Sequence, residues 1–172
     1  MTNNRHPEAL QKYQRQLNDA LASAEEVSEA VIALRIDRQG WLLSLTDLAE
    51  TSVCPPLSKT GLMPTGVVGI GNFRGKVHTV LSMPQLLAQQ NGLNGQGWTT
   101  VLHSKYGISL ALLWPEMVGL FSRSDFVNID QENPSFIKTT WKDKQSELWN
   151  ELDMATFLRE KIGHTHHQGE NV

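Results

Sequence analysis

The sequence has little cysteine and no long apolar run. Cys54 is the single cysteine among 172 residues, which excludes an internal disulfide. A lone thiol is typical of a reducing compartment, so we expect a cytoplasmic protein. No segment approaches the roughly 20 apolar residues that a membrane-spanning helix needs. The N-terminal stretch MTNNRHPEALQKYQRQ has no apolar centre, which predicts that no signal peptide is present.

An excess of charge of one sign is also missing, and so are the common catalytic motifs. The net charge is −3, which gives no reason to expect a nucleic-acid partner. The nucleophile motif G-x-S-x-G does not occur. Gly69, Gly71 and Gly75 miss the G-x-G-x-x-G spacing by one residue, and a strand-like run follows them instead of a helix. A phosphate-binding loop is therefore disfavoured, since no helix N-terminus would face the phosphate.

The composition that remains is that of a folded domain with an amphipathic N-terminal extension. Hydrophobic residues make up 40% and charged residues 19% of the chain. Residues 7–30 have one apolar stripe at steps of three or four, which predicts a helix on the surface or against a partner. We assign residues 1–30 to this extension. Its stripe consists of Leu10, Tyr13, Leu17, Leu21, Ala24 and Val27.

From residue 31 onward the pattern is mainly β and repeats itself. Residues 31–45 and 100–112 each read as a hairpin, and VLSMPQLL (80–87) resembles ELDMATFL (151–158) at the same offset of about 70. Ser82, in a capping box with Gln85, and Asp153 are the expected N-caps of two short helices. This predicts two small barrels, about 31–90 and 98–160, followed by a flexible tail at 161–172.

The stretch NFRG lies between two predicted strands. Gly75 permits a positive φ, and Asn72 is suited to bind backbone groups in the turn. Arg74 is then expected at the tip, where its planar guanidinium is available to carboxylates or carbonyl groups. The alternative is an ordinary solvated arginine at a hairpin tip.

Histidines offer a different hypothesis. His164, His166 and His167 cluster near the C-terminus, and imidazole nitrogens bind zinc or nickel. A metal-binding β protein or a histidine-based enzyme is therefore the alternative function. The tail has no thiolate or fixed carboxylate ligands, so our main prediction includes no metal and no cofactor.

Two segments resemble the CheW-like family of chemosensory adaptors. They are GVVGIGNFRGKVHTVLSMPQLL (66–87), with the family's turn, strand and helix, and LDMATFL near residue 155. The resemblance covers about residues 31–160. It implies a tandem of two small SH3-like β-barrels and a protein without catalytic activity.

The resemblance also implies partners and a place in the cell. Family members bridge the cytoplasmic tips of chemoreceptors to the CheA-type histidine kinase, with the receptor tip in a hydrophobic groove between the barrels. The chain is then expected at membrane-associated arrays through its partners, without inserting into the membrane.

Family positions carry over residue by residue. Arg74 falls on the turn arginine that contacts receptor or kinase, Glu50 falls on a receptor-contact position, and Val118 falls near the other wall of the groove. The partner-binding residues implied in this way are Arg74, Asn72, Gly75, Leu48, Glu50, Thr51 and Val118.

Several positions depart from the family pattern. Phe73 replaces the usual leucine, and Trp114 stands where an aspartate is common. The segment 7–30 is longer than in minimal adaptors. Together these features point to the PilI-like relatives of type IV pilus systems, which serve twitching motility, rather than to flagellar chemotaxis adaptors.

Overall fold

The computed structural model of the protein describes Arg15, residues 29–59 and residues 61–163. The predicted helix at 7–30 lies almost wholly outside these residues: Arg15 is helical and exposed, while Ala30 already belongs to the first strand. His164, His166 and His167 also lie outside them.

The described residues are mainly β, which confirms the predicted fold class. The strands are β1 (Ala30–Ile36), β2 (Gln39–Ser44), β3 (Leu48–Val53), β4 (Val67–Phe73), β5 (Lys76–Ser82), β6 (Trp98–Leu102), β7 (Leu110–Trp114), β8 (Glu116–Ser122), β9 (Val127–Ile129), β10 (Ile137–Lys142) and β11 (Leu148–Leu152).

The helical elements are short. Helix α1 (Met83–Ala88) follows β5, and α2 (Met154–Phe157) follows β11 and continues as a π-helical turn over Leu158–Ile162. The residues at 161–162 therefore belong to this helical stretch and not to the tail. Among the described residues, no helix has the length and hydrophobicity required to cross a membrane.

The strands form two sheets with one pairing plan. The orders are β8-β1-β2-β11-β10-β9 and β3-β6-β7-β5-β4. In each sheet a central hairpin, β1–β2 or β6–β7, pairs antiparallel with a flanking strand on one side. On its other side it pairs parallel with an outer hairpin, β10–β11 or β4–β5. The internal repeat seen in the sequence is thus a repeat of strand pairing.

The sheets do not coincide with the predicted consecutive units 31–90 and 98–160. The first hairpin of the chain joins the six-stranded sheet with β8–β11, whereas the hairpin β6–β7 joins the five-stranded sheet with β3–β5. The two repeats have exchanged their first hairpins. Local periodicity identifies strands and hairpins, but it does not encode which distant strand each one pairs with.

Irregularities of the backbone repeat as well. Extra residues interrupt the pairing of the flanking strands at Ala49 and Val118, and that of the outer hairpins at Val68 and Lys138. These β-bulges occupy matching places in the two sheets. Because a bulge bends its strand and increases the local twist, both sheets curve at equivalent points.

Three hydrophobic clusters hold the sheets together. The largest is shared by both sheets and contains the fully buried Trp41 and Trp114. Each sheet also has its own inner cluster, around Phe73 in the five-stranded sheet and around Trp149 in the six-stranded one. Cys54 packs against the first inner cluster, and burial raises the pKa of its thiol. Cys54 is thus a partly buried free thiol.

The two predicted helix caps had different outcomes. Asp153 Oδ1 accepts from the backbone N–H of Thr156 at 2.9 Å, which confirms its role as N-cap. The capping box at Ser82 was wrong: its hydroxyl accepts from the N–H of Leu93 at 3.3 Å and makes no cap hydrogen bond. The chain that returns along the sheet after α1 supplies this donor, which the local sequence does not reveal.

Candidate functional site

Arg74 and Gly75 form the two-residue turn between β4 and β5. Phe73 pairs with Lys76 across the turn, and both turn residues have positive φ, 50° and 81°. This is the turn type that matches the twist of a hairpin. Asn72 Oδ1 accepts from the N–H of Gly75 at 2.8 Å. The turn therefore has the predicted form, with the arginine at its tip.

The conformation of Arg74 is itself unfavourable. A non-glycine residue in the left-handed region raises the free energy of the folded state by about 1–2 kcal/mol. Glycine has no such penalty, and asparagine has a smaller one. Backbone strain of this kind concentrates at functional sites. The unusual residue type at this position is thus an observation in favour of a role for the side chain.

Arg74 forms an ion pair with Glu50 of β3. Its Nε lies 2.9 Å from Glu50 Oε2, and the two side chains are 73% and 17% exposed. The structure therefore brings together Arg74 and Glu50, which the resemblance implied as separate positions of the binding site. Because the Arg74 side chain is largely exposed, its guanidinium is within reach of acceptors of a partner.

This pair borders a cleft of about 410 Å³, here called the Arg74 cleft. His78 lies at its base, 9% exposed, with its ring edge-on to Phe73 at 5.5 Å between centroids. The lining combines the hairpin tip, the start of β3 and the end of β6. It consists of Ala49, Glu50, Phe73, Arg74, Lys76, His78, Val101, Leu102, His103, Ser104, Ile108 and Ser109.

Leu48 and Thr51, which the resemblance implies as partner-binding residues, do not line this cleft. Leu48 is 3% exposed within the cluster shared by both sheets, and Thr51 is 7% exposed with no partner for its hydroxyl. The bulge at Ala49 adds one residue to the alternation, so two positions three residues apart both turn inward. These two residues support Glu50 from below instead of presenting a surface.

Val118 lies in a different cleft, on the six-stranded sheet. It is the bulge residue of β8 and therefore the counterpart of Ala49, next to Glu50, in the other sheet. Glu50 and Arg74 on the one hand and Val118 on the other thus line two clefts that the repeat relates. This second cleft measures about 520 Å³ and is here called the aromatic cleft. It is lined by Arg35, Val118, Phe121, Asp125, Phe126, Asp143, Lys144, Gln145, Glu147 and Trp149.

The aromatic cleft has a rigid wall at the tip of the outer hairpin β10–β11. Asp143 accepts from the indole N–H of Trp149 and from the backbone N–H groups of Gln145 and Glu147, all at 2.9 Å. Burial alone would raise the pKa of Asp143, but these hydrogen bonds and the charge of Arg35 outweigh it and lower that pKa.

Sequence reasoning missed the aromatic residues of this cleft. Phe126 is edge-on to both Phe121 and Trp149, with centroids 5.8 and 6.2 Å apart. The guanidinium of Arg35 lies 5.2 Å above the Trp149 ring and binds Glu147 at 2.7 Å. Once the repeat was recognised, the second hairpin tip could have been examined as the counterpart of NFRG.

A second arginine–glutamate pair lies inside the six-stranded sheet. Glu151 is 1% exposed, and its Oε1 lies 2.7 Å from Arg123 Nη2. Its Oε2 accepts from the indole N–H of Trp141 at 2.7 Å. Lys138 Nζ is 3.6 Å from Oε1. These donors satisfy both oxygens of a carboxylate that is buried and therefore not accessible to a partner.

The junction of the two sheets carries a third cleft, of about 330 Å³, with charged and hydroxyl side chains on its walls. Tyr106 donates to Asp47 there, and Lys105 Nζ lies 2.8 Å from the same carboxylate. Burial first, and then Asp47, raise the pKa of the Tyr106 phenol. This cleft offers polar contacts, unlike the apolar groove that the resemblance implies between the barrels.

In the part of the chain that the structure describes, the histidines do not form a candidate metal site. There, no three or more His, Cys, Asp or Glu side chains converge as metal ligands. His78 and His103 both line the Arg74 cleft, but His103 Nδ1 accepts from the N–H of Lys105 at 3.0 Å.

Comparison with known families and curated proteins gives no match at the level of sequence. No family model matches the chain, and no curated protein matches it.

Comparison with solved structures does give a match. The scaffolding protein TtCheW from Thermoanaerobacter tengcongensis superposes with a TM-score of 0.62 and 12% sequence identity. The superposition covers 92% of this chain and 93% of that protein. The chain therefore has the fold of a CheW scaffolding protein.

Proposed function

We propose that this protein is a non-catalytic chemosensory adaptor that couples chemoreceptors to a CheA-type histidine kinase. The observation that carries the proposal is the full-length similarity of its fold to the scaffold TtCheW. The Glu50–Arg74 pair on a strained hairpin tip adds a candidate contact. The protein would require no cofactor and would act in the cytoplasm, at membrane-associated arrays, through its partners.

The chemistry of the Arg74 tip suits a switchable protein contact. Glu50 holds one edge of the guanidinium, so the remaining N–H donors have a fixed direction before a partner arrives. A partner carboxylate or carbonyl group can bind these donors without removing Glu50. Signal transfer then needs only that receptor and kinase states differ in affinity for this tip.

Binding and kinase control should be tested together, with the CheA-type kinase and the receptor of the same organism. We expect the purified protein to co-sediment with both and to change kinase autophosphorylation in the presence of receptor. Arg74→Glu should abolish this coupling while the circular dichroism spectrum and the melting temperature are retained.

Arg38→Glu is the matched control, because Arg38 is an exposed arginine in the turn of the β1–β2 hairpin. It should leave coupling unchanged. Wild-type coupling in Arg74→Glu would remove the tip from the binding site, and failure of the wild-type protein to bind either partner would overturn the adaptor proposal.

The type IV pilus branch is a finer proposal. It rests on the long N-terminal segment and on the departures at Phe73 and Trp114. Deletion of the gene should then impair twitching motility and leave flagellar swimming intact. The opposite phenotype would place the protein in flagellar chemotaxis.

The histidine-based alternative has a direct test. It predicts stoichiometric metal in purified protein, retained after removal of residues 164–172. Metal that is absent, or lost with these residues, contradicts it.

A further inference from the structure

We propose that the N-terminal segment 7–27 packs its apolar stripe onto the aromatic cleft of the same chain. The cleft is then occupied from within, while its counterpart, the Arg74 cleft, stays open to partners. This inference does not depend on the proposed function.

The described chain starts at the edge of the aromatic cleft. Ala30 pairs with Ser122 at the end of β8, and the carbonyl oxygen of Glu29 accepts from the N–H of Arg123 at 2.8 Å. Asp125 and Phe126, which line the cleft, follow directly after this point. The segment before Glu29 is therefore tethered beside the Phe121 end of the cleft.

The five-stranded sheet shows what happens at the equivalent place. The connection that precedes β6 packs Leu93 against the inner cluster of that sheet. It is also held by Gly97, whose carbonyl oxygen accepts from the N–H of Cys54. Since β1 is the counterpart of β6, the segment before β1 is in position to cover the inner cluster of the six-stranded sheet. Val118 and Phe121 of that cluster are only half-buried.

The apolar stripe of the segment ends close to the tether and is several helical turns long. Its stripe ends at Val27, two residues before Glu29, and extends back to Leu10. As a helix, these residues would span roughly 27 Å at 1.5 Å per residue. Such a stripe gains free energy when it leaves water, and a short tether gives it a local concentration in roughly the millimolar range.

One charged contact is compatible with the same arrangement, although Asp125, Asp143 and Glu147 also line the cleft. Glu25 and Glu26 fall near the C-terminal end of the predicted helix, where acidic groups are unfavourable on their own. Lys144 on the cleft wall makes no ion pair with any described residue. It can compensate one of these carboxylates once the segment is docked.

Hydrogen exchange on the full-length chain tests the proposal. Leu17→Asp with Leu21→Asp disrupts the stripe, and Arg15→Asp is the matched control on the exposed side. We expect amides of Val118 and Phe121 to exchange at least tenfold faster in the stripe variant and to be unchanged in the control. Amides of β3 in the other sheet should not change. Unchanged exchange at β8 in the stripe variant would overturn the proposal.

A cysteine pair distinguishes docking in one chain from docking between two. In a Cys54→Ser background, Leu21→Cys and Lys144→Cys should form a disulfide on mild oxidation, giving a product of monomer mass. Arg15→Cys with Lys144→Cys should react several-fold more slowly. Equal rates for the two pairs, or a product of dimer mass, would contradict packing within one chain.

Discussion

The two sheets share one strand plan, but their arginine–glutamate pairs lie in opposite environments. In the five-stranded sheet Arg74 is 73% exposed and meets Glu50 at a turn. In the six-stranded sheet Arg123 and Glu151 are 15% and 2% exposed. The repeat has kept the backbone and changed the use of the charges. One pair is arranged for contact with a partner, and the other holds the sheet together.

The energetic consequences of the two environments differ. Removing one partner of a buried ion pair leaves polar groups in the interior without solvent and costs about 3–5 kcal/mol. An exposed pair is screened by water and salt and contributes about 0–1 kcal/mol. Substitutions in the exposed pair and in the buried pair therefore test the comparison directly.

The largest effect is expected for Glu151→Ala. It removes the acceptor of the Trp141 indole and of Arg123, and we expect a loss of about 3–5 kcal/mol in the free energy of unfolding. Urea denaturation measures this loss. Glu50→Ala, which removes the carboxylate of the exposed pair, should cost less than about 1 kcal/mol. Similar losses in the free energy of unfolding for both variants would show that the two ion pairs contribute equally to stability, which contradicts the comparison.

A smaller loss is expected for Gly40→Ala. A Cβ atom at Gly40 would lie 2.5 Å from Cε3 of Trp149 and 3.0 Å from the carbonyl oxygen of Leu148, so the parallel pair β2–β11 must shift. We expect a loss of about 1–3 kcal/mol by thermal denaturation. Gly61→Ala is the control, since nothing lies within 4 Å of its Cβ position.

The matching register in the other sheet explains why this glycine has no counterpart. There, the parallel pairs Thr79–Leu110 and Val80–Ala111 match Asn150–Trp41 and Glu151–Leu42, so the position equivalent to Trp149 is His78. Of the two parallel strand pairs, only β2–β11 of the six-stranded sheet has a tryptophan, Trp149, packed directly over the position of Gly40. Tolerance of Gly40→Ala without loss of stability would contradict this difference.

The hairpin tips should differ in their response to acid. Asp143 organises the tip of β10–β11, whereas the uncharged Asn72 holds that of β4–β5. Because the pKa of Asp143 is below its ordinary value of 3.8, its ionised form stabilises the fold above that pH. This contribution is lost as the pH falls through the lowered pKa.

Denaturation midpoints measured between pH 7 and pH 2 check this expectation. Asp143→Asn should be less stable than wild type at neutral pH, by about 1 kcal/mol, and the difference should shrink in acid. Asp130→Asn, at an exposed position, should follow the wild-type curve. A constant difference at all pH values would mean that the charge of Asp143 has no role.

The smallest effect on stability is expected for Arg74→Asn. Asparagine relieves the backbone strain of the left-handed conformation, which stabilises the fold, but it cannot form the exposed ion pair, which destabilises it. The net change in the free energy of unfolding should therefore stay within about 1 kcal/mol. Partner binding should nevertheless be lost. Arg74→Lys keeps the strain and the charge but loses the planar fork, so it should bind more weakly without a gain in stability. A large drop in stability for Arg74→Asn would assign the arginine to the fold and not to a contact.

Local features of the sequence were recovered well. The hairpins, the turn geometry at Gly75 and the cap at Asp153 depend on residues within four positions of one another, and all of these were predictable. The failed cap at Ser82 shows the limit, because its hydroxyl binds Leu93 eleven positions away. A local sequence pattern cannot predict which distant backbone N–H group will form a hydrogen bond with a given side chain.

The candidate site was predicted in part. Arg74 and Glu50 were each identified, but their ion pair joins positions 24 residues apart and depends on the pairing of the sheet. Leu48 and Thr51 are buried, and the bulge at Ala49, which the sequence does not reveal, turns both of them inward. Val118 lies in the equivalent cleft of the other sheet. A contact of these three residues with a partner stays a prediction.

The sequence by itself determined the mainly β character, the internal repeat and the arginine at the tip of a tight turn. These follow from short-range periodicity, glycine conformations and side-chain to backbone hydrogen bonds, which neighbouring residues settle among themselves. Only the tertiary structure decided that the repeats exchange their first hairpins, that Glu50 meets Arg74 and that Glu151 is buried. Pairings over such distances are selected by the burial of three hydrophobic clusters together, a property of the whole chain that no single segment contains.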